Sequence, residues 1–429
     1  MLFGIRKTAV FTILLASCSV MCAPSVNAQT LREALVDTYE KNPTLSKARA
    51  QLAGAVVGVS IAESGFLPSV TASASYGRSQ SPLMSGHTTL GALEFKVTQN
   101  LFSGFQTVNS VAAAQAQVMA QRELLLNEEQ NQLANAVAAY SNVYTALKIV
   151  KLRQQNLSAL EEEVRADKAR LNVGVGTKID VAQSEAARAG ALSQLSEAKA
   201  DLTAAQASYL QIVGGEASNL CRPVLASDLP ASLKDAILIG QEEHPIILSA
   251  KYMLRASGYN VKIQAGAMLP QLNLSASTDY NKIYHGMGRD GHSNSVGVSV
   301  SMPLFTGGRN VALVHQSQEK LQEAKLQLQI YQDHVAAALA SAWAKFYGLK
   351  SAVGAYDESV RAAQVALNGV LDQKRVGQAT TLDVLNSRGN LINAQISLAK
   401  AQGDLVVASY NIRAGMGRLT ALTLALPVH

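Results

Sequence analysis

The stretch V-G-V-G-T-K-I-D-V at residues 173–181 occurs a second time, as V-G-Q-A-T-T-L-D-V at residues 376–384. Both copies fit the pattern V-G-x-x-T-x-x-D-V. The preceding sequence repeats at nearly the same spacing, because an L-P pair and an L-F-[S/T]-G pattern occur before each copy. Such self-similarity predicts two copies of one structural unit in tandem. We place the first repeat at residues 29–232 and the second at residues 233–429.

Each copy of the pattern has residues that end one helix and begin another. Its glycine suits the left-handed position that ends a helix. Its threonine suits the N-cap of the next helix, and its aspartate, three residues later, completes a capping box. The six residues are Gly174, Thr177 and Asp180 in the first copy and Gly377, Thr380 and Asp383 in the second. The pattern therefore predicts the tips of two helical hairpins.

Long helices are expected on both sides of each tip. Apolar residues from Leu339 to Val370 alternate steps of three and four, and a matching seam in the first half has polar interruptions that include Glu161 and Lys168. We expect two proline-free helices of about 68 residues, roughly 100 Å long, at 105–172 and 308–375. Shorter helices are expected at 43–66, 180–213, 245–268 and 383–416. Two of them stacked end to end are shorter than one long helix. We expect a belt across that gap, formed by the segments 31–41, 214–232, 233–243 and the C-terminal end.

Four further segments have apolar residues at every second position. This pattern, with polar residues between, is typical of transmembrane barrel strands that face lipid on one side and water on the other. The predicted strands are at about 68–79, 90–102, 270–282 and 294–305.

Four strands are too few to close a barrel, and an open sheet edge in lipid leaves unpaired backbone groups. The chain must therefore oligomerise. Two copies give eight strands with a filled interior, whereas three give twelve strands and begin to leave a lumen. The fold class is mainly α-helical with a membrane β-barrel.

Residues 1–28 have the pattern of a secretory signal peptide. Arg6 and Lys7 precede an apolar stretch, and small residues at 26–28 suit cleavage before Gln29. A competing interpretation is a lipobox at residues 15–18, which makes Cys18 a lipidated N-terminus. No later run of 18 apolar residues exists, which excludes a spanning helix. Under ordinary cleavage Cys221 is the only remaining cysteine, so no intrachain disulfide is possible.

The net charge of +6 includes no basic run, so nucleic acid is not an expected partner. No Ser-His-Asp order, paired carboxylates or H-E-x-x-H pattern occurs, and we expect neither an enzyme nor a cofactor. The loop at 286–291 fits G-x-G-x-x-G but has no helix after it, which argues against dinucleotide binding. His285 and His292 in the same region are expected in a solvated loop rather than at a metal.

The duplicated tips, the L-P and L-F-[S/T]-G patterns and the tandem organisation resemble the TolC family of outer-membrane efflux proteins over residues 31 to about 418. The resemblance implies a homotrimer with a 12-stranded barrel in the outer membrane and a helical tunnel through the periplasm. It also implies a periplasmic end that opens when an adaptor (membrane fusion protein) and an inner-membrane pump engage it.

In that family, aspartates of the second repeat ring the periplasmic entrance. Asp383 matches the first ring aspartate, whereas the second ring position is Asn386 here. The tyrosine and arginine that usually link the helices correspond to Lys374 and Ala379, so the gate must be fastened differently. We therefore expect a gate at Asp383, Asn386, Asp180, Lys374 and Arg375, and turn or adaptor contacts at Gly174, Thr177, Gly377 and Thr380.

Simpler roles remain open for these residues. Asp180 and Asp383 can be helix caps alone, and Lys374 with Arg375 can favour the dipole of a helix C-terminus.

Two classes of function remain. The first is a passive export duct for proteins or small toxic compounds, driven by an ABC or proton-driven pump that the residues do not distinguish. The second is a structural or adhesive coiled-coil protein of the envelope, which explains the heptads but not the amphipathic strand pairs.

Overall fold

The computed structural model describes residues 29–80, 87–286 and 289–426, so the predicted leader and Cys18 lie outside the described residues. The elements follow the same order twice. The first half contains α1 (Leu31–Lys41), α2 (Pro43–Glu63), β1 (Ser69–Gln80), β2 (His87–Phe102), α3 (Gln106–Asn172) and α4 (Lys178–Val213). The second half contains α5 (Leu233–Glu243), α6 (Pro245–Gly266), β3 (Gln271–His285), β4 (Gly291–Ser301), α7 (Arg309–Arg375) and α8 (Thr381–Gly415).

The two long helices are confirmed to within one residue. Each of α3 and α7 has 67 residues, about 100 Å at 1.5 Å per residue. The return helices α4 and α8 begin two residues earlier than expected because Thr177 and Thr380 are N-caps, and an N-cap directly precedes the first helical residue. In contrast, α2 ends three residues early, because Ser64–Phe66 forms a 3-10 turn before β1.

Helix α3 is central to the helical packing. It contacts α2, α4, α6 and α8. Helix α7 packs on α6 and α8. No helix of the described residues has the length and apolarity needed to cross a membrane.

The main cores lie near the middle of the long helices. One core surrounds Tyr140 on α3 and includes residues of α1 and of the C-terminal segment 417–426. The second surrounds Leu339 on α7 and includes residues of α5, α6 and α8. The C-terminal segment is fastened to α3, because Gln130 donates to the carbonyl of Gly417 (3.1 Å) and Glu129 accepts from the backbone amide of Ala421.

The strands form one antiparallel sheet in the order β1-β2-β3-β4, and the β2–β3 pair joins the two halves of the chain. Pro303 explains why β4 ends at Ser301 rather than at residue 305, since proline has no amide hydrogen to donate to a ladder. At the other end, β2 and β3 extend three residues further than expected, to His87 and His285, whose imidazoles stack at 4.5 Å.

One face of this sheet carries most of its apolar side chains, interrupted by Gln99, Thr278 and Asn294. The registers align Val70 with Val97, Val97 with Ala276, and Ala276 with Val296 across the four strands. The apolar side chains of β1, β2 and β4 on this face are largely exposed, including Val298 at 63%. Serine, threonine and charged side chains occupy the opposite face.

Candidate gate at the helical tips

Both tips have the same backbone geometry. Gly174 and Gly377 adopt φ of +81° and +79°. The amides that follow them donate to carbonyls of the last helical turn: Val175 to Arg170 (3.0 Å) and Gln378 to Gln373 (2.8 Å). This is the Schellman arrangement, in which a left-handed glycine ends the helix. A Cβ added at either glycine would meet nothing within 4 Å, so the requirement for glycine is conformational rather than steric.

A complete capping box begins the helix after each tip. The amide of Asp180 donates to the Thr177 hydroxyl (3.1 Å), and the Thr177 amide and hydroxyl donate to the Asp180 carboxylate (3.1 and 2.6 Å). Thr380 and Asp383 repeat these contacts at 3.2, 2.8 and 2.7 Å. Both aspartates are therefore helix caps, and each can have a second role as well.

The carboxylates of Asp180 and Asp383 differ in their other contacts. The pKa of Asp180 is lowered first by the hydrogen bond from Thr177, and further by the Thr381 hydroxyl and the charge of Lys374. The pKa of Asp383 is lowered by hydrogen bonds from Thr380 alone. Asp180 thus faces the other hairpin, whereas Asp383 is exposed.

Lys374 links the hairpins. Its ammonium lies 2.5 Å from Glu163 Oε1 and 3.4 Å from Asp167 Oδ1, both on α3, and its side chain is only 12% exposed. Arg375 is 78% exposed, and its one ion pair among the described residues is with Asp372 on its own helix (2.9 Å). Lys374 therefore does more than favour a helix dipole, and the two neighbouring cations have different surroundings.

Lys374 belongs to a charged group around the buried Asp167 that we call the tip cluster, which consists of Glu163, Asp167, Arg170, Lys374 and Arg388. Arg170 contacts Asp167 at 2.5 Å and Glu163 at 3.2 Å. Burial lowers the pKa of Arg388 on α8, and the charge of Glu163 opposes that change. The cluster therefore joins α3 to α7 and α8.

Two polar atoms of the tip cluster have no hydrogen-bond partner among the described residues, namely Asp167 Oδ2 and Arg388 Nε. Asp167 is 1% exposed, so its carboxylate depends on Lys374, Arg170 and the Thr381 hydroxyl (3.5 Å) for compensation. A buried charge that loses one partner is strongly destabilised, by about 3–5 kcal/mol. The cluster is therefore sensitive to the relative position of the two hairpins.

Helix α8 has two faces near the tip. Thr381, Val384 and Leu391 are buried, whereas Asp383 and Asn386 are exposed together with Asn390 and Asn393. Spacings of three and four place the exposed four on one side of the helix. The expected ring residues therefore share a polar stripe that points away from the tip cluster.

Sequence reasoning missed Glu163, Asp167, Arg170 and Arg388. It placed Val164 in the helical seam together with Glu161 and Lys168. The structure buries Val164 as expected, but the other buried residues nearby are Leu160 and Asp167, and Lys168 is exposed and paired with Glu185 (2.7 Å). The spacing of acidic residues 163 and 167 with the basic residue 170 was the available signal. Its meaning depends on α7 and α8, which are distant in sequence.

The histidines of the strand region do not form a metal site within the described residues. Within the described residues, no group of three or more histidine, cysteine or acidic side chains is placed to hold a metal ion. His285 stacks on His87, and His292 packs on Tyr280 with ring centroids 4.6 Å apart. Part of the loop 286–291 lies outside the described residues.

Known proteins are similar to this chain over most of its length. The profile described as "Outer membrane efflux protein" matches residues 34–215 and 240–418. Outer membrane efflux protein BepC of Brucella suis biovar 1 (strain 1330) is 43% identical over 99% of this chain and 93% of the relative. Outer membrane protein TolC of Escherichia coli (strain K12) is 25% identical over 90% of this chain and 83% of the relative.

A solved structure has the same fold. The CmeC outer membrane channel of Campylobacter jejuni superposes with a TM-score of 0.81 at 16% identity, over 92% of this chain and 87% of that one. At that identity the likeness shows the fold alone. The profile match and the similarity to BepC extend over nearly the whole chain, and they favour a channel over an adhesive coiled-coil protein. The chain therefore belongs to the outer membrane efflux protein family and is an export channel of the outer membrane.

Proposed function

We propose that three copies of this chain form a 12-stranded barrel continuous with a periplasmic helical tunnel, and that the tip cluster holds the periplasmic end of that tunnel closed. The edge strands support the assembly. In the single chain β1 and β4 each pair on one side only. Unpaired backbone groups are costly in lipid, and pairing β4 of one copy with β1 of the next removes every edge.

The apolar face of the sheet supports insertion in a membrane. It runs across all four strands and carries exposed valine, leucine and phenylalanine side chains. A lipid-facing band of this kind, with polar residues on the other face, is the pattern of outer-membrane barrels. Three copies give twelve strands, enough to begin to leave a lumen.

The gate follows from the two faces of α8. The buried face contacts α3 through the tip cluster, so moving α7 and α8 away from α3 breaks the contacts of Lys374. The exposed stripe with Asp383 and Asn386 lines the entrance in the assembled tunnel. Closure is therefore fastened by charges inside each protomer, and selectivity at the entrance comes from the stripe.

The turns at the tips supply the contact for an adaptor. In the first tip Val173, Val175 and Ile179 are each more than two-thirds exposed. In the second tip Val376 and Leu382 are exposed. Apolar side chains at the end of a long helical hairpin favour burial against a partner. The duct itself is passive, and an inner-membrane pump, of the ABC or the proton-driven type, supplies the energy.

The observation that carries the gate is the contact between Lys374 and Glu163, and neighbouring residues provide a matched test. Purified trimers in planar bilayers should have low single-channel conductance. Lys374→Ala should raise it by releasing α7 from α3. Arg375→Ala removes an exposed cation one position away and should leave conductance unchanged. Equal conductance in all three proteins would remove the tip cluster from the gate.

A further inference from the structure

A cleft far from the tips has the features of a binding site. It lies between α3, α7, α8 and the loop 222–225 that crosses them, and its volume is about 420 Å³. This volume falls within the range of pockets that take small organic molecules, about 300–1,000 Å³. The cleft is formed within one chain, so it does not depend on the assembly of three copies.

The polar groups of the cleft are unbalanced in charge. Lys148 of α3 and Arg222 of the loop both line it, and no carboxylate from the described part of the chain does. Lys148 donates one hydrogen bond, to Gln402 Oε1 at 3.0 Å. No ion pair joins Arg222 to a described residue. The pKa of Lys148 is lowered, first by burial and then by the charge of Arg222. Two cations therefore face one space without an anion between them.

The remaining lining is mostly apolar. It includes Val353 of α7, Val406 of α8, and Val224 and Leu225 of the loop. Val224 and Leu225 are exposed at 68% and 47%, which is unfavourable for aliphatic side chains in water. The cleft thus presents a cationic end and an apolar wall.

The charge of the cleft is not a product of the duplication. At the spacing of the two tips, Tyr144 beside the cleft corresponds to Tyr347 on α7, so the aromatic residue occurs in both halves. Lys148 corresponds to Ser351. The lysine of this cleft therefore comes from the first half alone.

We propose that this cleft binds an amphipathic organic anion, with its carboxylate or sulfonate between Lys148 and Arg222 and its apolar part against Val353, Val406 and the loop. An anion in this position accepts charge-assisted hydrogen bonds from both cations and relieves their repulsion. It also covers the exposed valine and leucine of the loop.

The single tryptophan of the chain makes the site measurable. Trp343 lies on α7 ten residues before Val353, a rise of about 15 Å. The first residue of α7, near the sheet, lies about 51 Å from Trp343 along the same helix. Energy transfer from Trp343 to 1-anilinonaphthalene-8-sulfonate therefore reports probe in the cleft rather than probe in the lipid around the strands.

The test titrates full-length protein in neutral lipid vesicles, which contain no other tryptophan, with this sulfonate and with N-phenyl-1-naphthylamine, its uncharged analogue. The sulfonate should bind about tenfold or more tightly than the amine, because only the sulfonate pairs with the cations. The double variant Lys148→Gln with Arg222→Gln should lose that advantage. The matched control Lys151→Gln with Lys199→Gln removes two exposed charges outside the cleft and should bind like the wild type.

Further arms separate folding from binding and identify the source of the anion. Arg222→Gln alone changes an exposed loop residue and should weaken binding if the double variant does not fold. Val353→Phe fills the cleft and should weaken binding of the sulfonate although both cations are still present. Displacement by laurate indicates a membrane-derived acid, and displacement by salicylate a soluble aromatic acid. Equal binding of the two probes, unchanged binding in the cation variants, or displacement by neither acid would overturn the proposal.

Discussion

Lys374 Nζ and Glu163 Oε1 lie 2.5 Å apart although 211 positions separate the residues in sequence. Both side chains are nearly buried, at 12% and 11% exposure. The contact joins the end of α7 to the last turns of α3, and so it couples the second hairpin to the first.

The coupling between these two residues can be measured directly. Glu163→Gln and Lys374→Met should each raise conductance, and the double variant should raise it by less than the sum of the two effects. Residues in one ion-pair network usually show a coupling energy of about 0.5–3 kcal/mol. Open and closed lifetimes in planar bilayers give the gate equilibrium for each variant. Strict additivity would mean that the pair does not contribute to closure.

A second prediction concerns Asp383 and cation block. Three copies of this carboxylate around a narrow entrance attract cations, and the field is stronger at low salt. Trivalent cations added on the periplasmic side should block, and Asp383→Asn should weaken the block while preserving trimer yield. Asn386→Asp should strengthen it by adding a second ring.

The cation block at Asp383 should not depend on pH near neutrality. The pKa of Asp383 lies below its usual value of 3.8 because Thr380 donates hydrogen bonds to the ionised carboxylate. The block should therefore persist unchanged from pH 7 to pH 5. A loss of block between those values would mean that mutual repulsion in the ring raises the pKa of Asp383, or that another group binds the cation.

A third prediction separates backbone conformation from space at Gly377. An added Cβ has open space there, but a β-branched residue at φ of +79° is strained by about 1 kcal/mol or more. Gly377→Val should weaken adaptor binding in a pulldown, whereas Gly377→Asn should retain most of it because asparagine tolerates this region. Gly389→Ala, in the open interior of α8, is the control and should have no effect. Full binding by Gly377→Val would remove the second tip from the docking contact.

The lipid face of the sheet gives a fourth prediction. A lysine on that face near the membrane centre costs about 2–4 kcal/mol, whereas a lysine on the opposite face is solvated. Val298→Lys should lower the yield of heat-modifiable trimers on gels. Ser299→Lys, one position along β4 and on the opposite face, should leave the yield near the wild-type value. The reverse result would mean that the sheet faces the membrane with its polar side.

A fifth prediction concerns His244, the N-cap of α6. Its Nδ1 accepts from the amide of Ile246 (3.2 Å), which requires an unprotonated nitrogen. Burial, with a smaller effect from His334, lowers its pKa from 6.5 to about 4. The folded state therefore binds the proton less readily than the unfolded state, and stability should fall as pH drops from 6.5 to 4, by at most about 3 kcal/mol.

Thermal unfolding of the wild type and His244→Asn at pH 7.5 and pH 5 tests this. Asn42 caps α2 in the equivalent place with an amide oxygen that accepts from Thr44 (2.8 Å), so asparagine is a suitable replacement. The variant should lose less stability at pH 5 than the wild type. An equal loss in both proteins would place the pH dependence elsewhere.

Local patterns predicted most of the fold. Residues close in sequence predict both tips, both long helices and all four strands, because caps, glycine turns and periodicity are local properties. The ends of the strands were predicted less accurately, since they depend on the pairing of β2 with β3 and on Pro303. The division at residues 232 and 233 remains a prediction.

The candidate gate was predicted only in part. Asp180 and Asp383 belong to local motifs, so their positions could be found. The partners of Lys374 could not, because Glu163 and Asp167 look like ordinary charges on a helix until α3 and α7 are brought together. The burial of residues 160 and 167 in place of 161 and 168 has the same cause.

The pairing of β2 with β3 sets the order in which the chain can mature. Residues 103–270 separate these neighbours, so the β1–β2 hairpin leaves the inner membrane long before its partner strand does. During that interval an apolar face and an open edge are exposed to the periplasm, in a segment that is prone to pair with the wrong chain. The first hairpin therefore keeps an unpaired edge until the second repeat arrives and β3 can pair with β2.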